Sequence, residues 1–350
     1  MMKGYVWVLL LAMTSMECVA GWDEGVKAYE AQDYQTAFKE FSPLANDGDA
    51  NAQFYLGFMY YDGQGVPKNY SQAAVLYRKA AAQGLASAQS NLGAMYEKGQ
   101  GVAQDYSQAA VLYRKAAAQG NTFAQSNLGV MYHDGKGVPQ NYSQAVDLFR
   151  KAAVQGDANA QYNLGFMYYY GQGVAQDYSQ AVVWNREAAA QGHAAAQSNL
   201  GVMYEKGQGV TQDYSQAIDW YRKGAVQGDA NAQYNLGFMY HTGQGVAQNY
   251  SQAAVLYRKA GTQGHSKSLN NLGEGYEFGH FGAKNLVLAH IFYNLAAVNG
   301  AENSKKNRDR VTPQLTPAQL SEAQKIASQW VKGQPLPTIT KTYPSSKKRK

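Results

Sequence analysis

The chain has 350 residues and a formal net charge of +6, and it contains 36 glycines but only 8 prolines. Five of its positive charges lie after Thr340. The rest of the chain is therefore close to neutral, which argues against the broad basic surface of a nucleic-acid-binding domain. Ala, Gln and Tyr recur in fixed phrases, so an internal repeat has to be sought before a fold is assigned.

The N-terminus has the pattern of a secretory signal. Lys3 provides a positive start, residues 5–13 form an apolar stretch too short for a confident membrane span, and small residues end at Ala20. We predict a signal peptide over residues 1–20 and a periplasmic or secreted mature protein. A lipid on Cys18 or an uncleaved anchor is the alternative. Cys18 is the only cysteine, so cleavage would leave a mature chain without disulfides.

Three phrases then recur every 36 residues. Leu-Gly defines repeats 1 to 7, at Leu56, Leu92, Leu128, Leu164, Leu200, Leu236 and Leu272. Gly-x-Gly-Val and Tyr-Ser-Gln-Ala follow in step in the first six repeats, beginning at Gly63 and Tyr70 in repeat 1. Positions below are counted from the repeat leucine, which is position 0.

Each repeat is predicted to hold two helices. In repeat 1 the first helix covers about residues 50–61, because Ala52, Leu56 and Met59 fall on one helical face. The second helix begins after Asn69, a preferred N-cap type. Neither helix can bury its apolar face alone, so successive hairpins must stack as a solenoid. Gly57, inside the first helix, predicts a close approach of the neighbouring helix backbone, since mid-helix glycine is otherwise unfavourable.

The order of these phrases resembles the Sel-1-like repeat family, a relative of tetratricopeptide repeats. The shared pattern is Ala-x-x-x-Leu-Gly-x-Met-Tyr, then Gly-x-Gly-Val, then Asp/Asn-Tyr-x-x-Ala. The resemblance implies an all-α, right-handed α-solenoid (a superhelix of helical hairpins) that acts as an adaptor for protein complexes. The predicted organisation is a tetratricopeptide-like capping hairpin over 21–48, seven repeats over 49–300 with the last one degenerate, a C-terminal capping helix region over 301–333 and a disordered basic tail over 334–350.

No catalytic, cofactor-binding or metal-binding residues are predicted. The Gly-x-Gly-Val loops do not follow strands and recur six times, so they read as turns rather than phosphate sites. No two histidines have metal-ligand spacing on one helix. A cysteine-rich branch of the resembled family is linked to β-lactam binding or hydrolysis, but this chain lacks those cysteines. An enzyme acting on the cell wall or on β-lactams, or an envelope factor regulating one, remains the alternative function.

The candidate binding residues vary around the core of the first helices. Asparagine recurs at position −1, where amides could clamp an extended peptide or simply hold neighbouring repeats together. Aromatic residues surround the leucine in repeats 1, 4 and 6, either as a recognition surface or to fill gaps between helices. The predicted partner-binding residues are Asn91, Asn127, Asn163, Asn199, Asn235, Phe54, Phe58, Tyr162, Phe166, Tyr169, Tyr234 and Phe238.

The sequence thus predicts a monomeric scaffold without a cofactor that binds a protein or peptide partner on the concave face of the solenoid. Nucleic acid is not expected as a partner. The basic tail, residues 347–350, could touch anionic surfaces weakly.

Overall fold

The computed structural model describes residues 16–338. Over this range the chain forms eighteen α-helices and one short 3-10 helix, with no β-strand, so the predicted all-α class is confirmed. The signal-peptide prediction falls mainly on residues 1–15, and the end of the basic tail on residues 339–350; both segments lie outside the described residues. None of the described helices is long and apolar enough to cross a membrane.

The chain divides into two compact units. Unit 1 comprises Met1–Ala160 and Gln172–Val174. Its helices pair in sequence, so that α1 packs on α2, α3 on α4, α5 on α6 and α7 on α8. Helices α2, α4 and α6 also pack on the first helix of the next hairpin. The helices of unit 1 are α1 (Met16–Glu30), α2 (Tyr34–Asn46), α3 (Ala50–Asp62), α4 (Tyr70–Ala82), α5 (Ala86–Lys98), α6 (Tyr106–Ala118), α7 (Thr122–Asp134) and α8 (Tyr142–Val154).

Unit 2 comprises Gln161–Gly171 and Ala175–Lys350, and the first residues of α9 belong to unit 1. From α10 to α16 each helix packs on the next one along the chain. A 3-10 helix over Thr312–Gln314 separates the last two α-helices. The remaining helices are α9 (Ala158–Tyr170), α10 (Tyr178–Ala190), α11 (Ala194–Lys206), α12 (Tyr214–Val226), α13 (Ala230–Thr242), α14 (Tyr250–Thr262), α15 (Ser266–Phe278), α16 (Leu286–Val298), α17 (Glu302–Val311) and α18 (Pro317–Gln329).

The helix ends are set by local capping chemistry. The backbone N–H of Gln72 donates to the Asn69 side chain at 3.1 Å, which confirms Asn69 as the N-cap of α4. Helix α3 ends at Gly63, whose φ of 77° lies in the left-handed region that favours glycine. The second glycine of the loop, Gly65, also has a positive φ, and it packs against the backbone of Tyr34. The recurrent loop is therefore a turn that also contacts the preceding hairpin.

Most of the mid-helix glycines admit an aromatic ring rather than a backbone, whereas Gly165 faces the buried side chain of Asn185. A Cβ at Gly57 would lie 2.8 Å from two ring atoms of Tyr77, which is itself buried in the core. Gly93 and Gly129 face Tyr113 and Phe149 in the same way. The predicted close approach is therefore real, but the element that approaches is the ring carried by the second helix. The repeat core consists of this ring together with small alanines, leucine and methionine.

The C-terminal region continues the stack before closing it. The polar segment after Gly300 forms α17, in which Ser304 and Val311 are fully buried at the register of the repeat alanine and methionine. Helix α18 starts with the predicted capping box at Thr316, and Trp330 packs against the terminal core as expected. We expected residues beyond Gly333 to be disordered. Leu336 is instead buried against α14 and α15, because its apolar side chain fills the space beside Gly261.

Candidate functional site

The asparagines at position −1 lie half-buried on the first helices, beside the core and not in it. Asn127 donates to the carbonyl oxygen of Phe123 at 2.8 Å within its own helix. Asn199 reaches the side-chain oxygen of Asn185 at 3.4 Å. Within each unit, no hydrogen bond among the described residues joins asparagines of adjacent repeats. The amides therefore do not form a ladder with one another. In repeat 1 this position is Tyr55, whose ring packs on Trp22 of the N-terminal hairpin at 5.6 Å.

Glutamines, which the sequence analysis did not single out, hold adjacent hairpins together. Gln89 is buried and donates to the carbonyl oxygen of Ala81 in the preceding helix at 3.2 Å. Gln119 donates to the side-chain oxygen of Gln89 and to the carbonyl of Gly84, both at 2.9 Å. The signal was present, because Ala-Gln at position −4 and Gln-Gly after the second helix both recur every 36 residues. The equivalent pairs are Gln53 with Gln83, Gln125 with Gln155, Gln161 with Gln191, Gln197 with Gln227, and Gln233 with Gln263.

Replacing Gln89 by leucine tests this glutamine ladder. The Gln89→Leu variant keeps the side-chain volume but removes a buried donor and the acceptor that Gln119 uses. We expect a loss of about 1–2 kcal/mol in the free energy of unfolding, typical of a broken buried hydrogen-bond network. Chemical denaturation measures it. As a control, Gln104→Leu removes a glutamine whose hydrogen bonds to the Glu97 carbonyl and the Tyr106 hydroxyl are exposed to solvent, and it should cost less. Equal losses in the two variants would show that the ladder does not hold the hairpins.

In repeats 4 and 6 the aromatic residue at position −2 packs on the histidine that caps the first helix of the following repeat. The ring of Tyr162 stacks on His193 at 4.6 Å between centroids, and His193 accepts a hydrogen bond from the first turn of α11. Tyr234 lies over His265 at 4.8 Å in the same arrangement. Repeat 3 is followed by an acidic N-cap, Asp157, and it has the small residue Ser126 at position −2. The Ser126 hydroxyl donates to Asp157 at 3.1 Å. The geometry of Tyr162 and Tyr234 is therefore that of side chains filling gaps between repeats.

The other aromatic candidates divide between inter-repeat contacts and exposed surface. Tyr169 donates through its hydroxyl to Gln208 of the next loop at 2.7 Å, and Phe54 packs on the core ring of Tyr77. At position +2, Phe58 and Phe166 are half-buried, whereas Phe238 is 37% exposed. The rings at position +2, and that of Phe238 in particular, therefore contribute apolar surface to the first helices.

A carboxylate lies next to the core tyrosine in three repeats. The hydroxyl of Tyr113 donates to Glu97 at 2.7 Å, and the Tyr221 hydroxyl donates to Glu205 in the same way. In repeat 7 the Tyr293 hydroxyl donates to Glu277 at 2.6 Å. Burial raises the pKa of Tyr113 and Tyr221, and the neighbouring carboxylate raises it further, so both remain protonated donors. These pairs are not apparent from the sequence, because the tyrosine and the carboxylate lie on different helices.

Two of the histidines lie next to each other in the structure. The rings of His241 and His280 meet edge to face at 5.5 Å, and burial together with the neighbouring His280 lowers the pKa of His241. Among residues 16–338 no group of three or more His, Cys, Asp or Glu residues could hold a metal ion.

The Sel1 repeat family model matches seven consecutive segments: 50–85, 86–121, 122–157, 158–193, 194–229, 230–265 and 266–300. A solved structure of a Sel1 repeat protein from Oxalobacter formigenes is 34% identical, with a TM-score of 0.64; the match covers 69% of this chain and 96% of that one. The structure of c5321, a protective antigen of uropathogenic Escherichia coli with an SLR fold, is 31% identical, with a TM-score of 0.48, covering 89% and 83% respectively. None of the curated protein sequences matches this chain.

Proposed function

The chain belongs to the Sel1 repeat family, and we propose that it holds a protein or peptide partner against the face formed by positions −1 and +2 of its first helices. Sel1 repeat proteins are generally protein-interaction scaffolds, and the family model indicates no catalytic family. On this proposal the rings of Phe166 and Phe238 are the apolar residues on which the partner packs, and the amides of Asn163 and Asn235 bind the partner's polar groups. The proposed location is the periplasm or the exterior, from the signal-like N-terminus.

The observation that carries this proposal is the exposure of Phe238 next to the half-buried Asn235. Side chains that hold the stack are accounted for elsewhere: the glutamine ladder joins the hairpins, and Tyr234 fills the gap to the next repeat. Phe238 has no comparable role, and its ring lies 6.3 Å from that of Tyr234. Aromatic residues are enriched in the cores of protein interfaces, and a neighbouring side-chain amide can both donate and accept hydrogen bonds.

The test is the double variant Phe166→Ala with Phe238→Ala. A partner is first identified by pull-down from envelope extract with the mature chain, and its Kd is then measured by calorimetry. We expect the double variant to weaken binding at least about tenfold, or 1.4 kcal/mol, because truncation of an aromatic anchor removes desolvated contact area. Thermal stability should change little, since position +2 lies outside the core stripe.

The matched control is Val226→Ala with Val298→Ala. These two valines are 85% and 79% exposed and lie at the ends of second helices, away from the proposed face. The control should bind with the affinity of the unmodified chain. The proposal is wrong if the double phenylalanine variant binds normally. It is also wrong if that variant unfolds as readily as a core truncation, which would make the two rings structural.

A further inference from the structure

The end of the stack contains an arginine bound by one of the tyrosine-carboxylate pairs. Arg310 of α17 donates from Nη2 to Oε2 of Glu277 at 2.7 Å and from Nε to Oε1 at 3.1 Å. Burial alone would raise the pKa of Glu277, but hydrogen bonds from Arg310 and Tyr293 outweigh it and hold that pKa below its usual range. The Glu277 carboxylate is thus oriented by a tyrosine hydroxyl and bound by a guanidinium through both of its oxygens. Such bidentate binding of a carboxylate is typical of arginine.

The register of α17 shows what position this arginine occupies. Ser304 and Val311 are buried where the repeats have their alanine at −4 and methionine at +3, so α17 follows the pattern of a first helix. Arg310 then stands at position +2 of that pattern, and Glu277 at position +5 of repeat 7. The two residues are 33 positions apart. A carboxylate at +5 is therefore covered by the +2 side chain of the following first helix.

The same carboxylate is present without an arginine in repeat 5. Glu205 accepts the Tyr221 hydroxyl as Glu277 accepts that of Tyr293, and the residue at Arg310's register is Phe238. Within residues 16–338 Glu205 forms no ion pair, and it is half-buried. Glu97 of repeat 2 has the same tyrosine contact, but Lys136 lies close enough to interact with it electrostatically. Of the three tyrosine–carboxylate pairs in residues 16–338, the pair formed by Tyr221 and Glu205 is therefore the one whose carboxylate has no paired cation.

We propose that Glu205, oriented by Tyr221, binds an arginine side chain of the partner, with the exposed ring of Phe238 beside it. This inference rests on the proposed function, because it names the chemistry that the partner presents to the same face. A guanidinium can use both carboxylate oxygens and lie flat on an aromatic ring, whereas the ammonium of lysine lacks that planar geometry. Arg310 with Glu277 is the internal example of the contact.

The experiment uses the full chain and acetyl-arginine N-methylamide as the probe. Titration followed by amide chemical shifts should give saturable changes near Glu205. The Glu205→Gln variant retains an oxygen that accepts the Tyr221 hydroxyl but loses the charge, and the probe's Kd should rise at least about tenfold. The citrulline analogue, which has the same shape without charge, should give no saturable change. Glu187→Gln, an exposed carboxylate on the second helix α10, is the matched control and should bind normally.

Each outcome bears on one proposal. If Glu205→Gln responds as the unmodified chain does, or if citrulline binds equally well, the arginine site is wrong even when the phenylalanine variant still loses the partner. If the probe binds at Glu205 but partner affinity is insensitive to Phe166 and Phe238, the arginine site stands and the proposed function is wrong. A probe that shifts only amides near Glu97 would also overturn the assignment to Glu205.

Discussion

Deleting residues 92–127, one complete repeat, is expected to leave a folded protein, whereas deleting residues 92–109, half of that length, is expected to disrupt the fold around the junction. The longer deletion joins Asn91 to Leu128 in register. Gln89 then takes the place of Gln125 and can accept the hydrogen bond from Gln155, and Ser90 replaces Ser126 opposite Asp157. Since each hairpin packs mainly on its neighbours, the contacts at the new junction are the ones already present elsewhere.

The shorter deletion fuses half of a first helix to half of a second one. It joins Asn91 to Ala110, which removes the turn at Gly99 and the core side chains Leu92 and Met95. We expect the longer deletion to cost about 1–3 kcal/mol of unfolding free energy, and the shorter one more than about 4–5 kcal/mol. Circular dichroism and denaturant melts of the two variants measure the difference. Equal losses would contradict a stack of interchangeable repeats.

Gly201→Ala is expected to lower the unfolding free energy by about 2–3 kcal/mol. Helix propensity alone predicts the opposite, because alanine is favoured over glycine in a helix interior by about 1 kcal/mol. The added methyl group, however, would overlap the ring of Tyr221, which is fully buried and cannot move aside without repacking. Thermal and denaturant unfolding of the single variant test the sign of the effect.

The same substitution in a Tyr221→Ala background separates the two contributions. With the ring removed there is no overlap, so Gly201→Ala should become neutral or stabilising, as propensity predicts. Tyr221→Ala alone should be destabilising through the cavity that it leaves. A stabilising Gly201→Ala in the unmodified chain would show that the ring does not require the glycine at this position.

The period, the helix ends and the core stripe could be predicted from the sequence alone because their signals are local. Asn69 caps a helix through a backbone N–H three residues away, and Gly63 ends one through its own φ. Leu56 and Met59 share a face by helical geometry. Because the pattern recurs every 36 residues, each local inference applies to every repeat. The fold class and the number of repeats can therefore be predicted from the sequence.

The tertiary structure decided which side chains meet across repeats. Gln119 reaches Gln89 over 30 residues and Arg310 reaches Glu277 over 33, and periodicity shows that such positions are equivalent but not that they face one another. Packing against a neighbouring hairpin likewise brings the ring of Tyr162 onto His193 and buries Leu336. Contacts of this kind depend on how one hairpin is rotated on the next, and that rotation comes from side-chain packing rather than from backbone propensity.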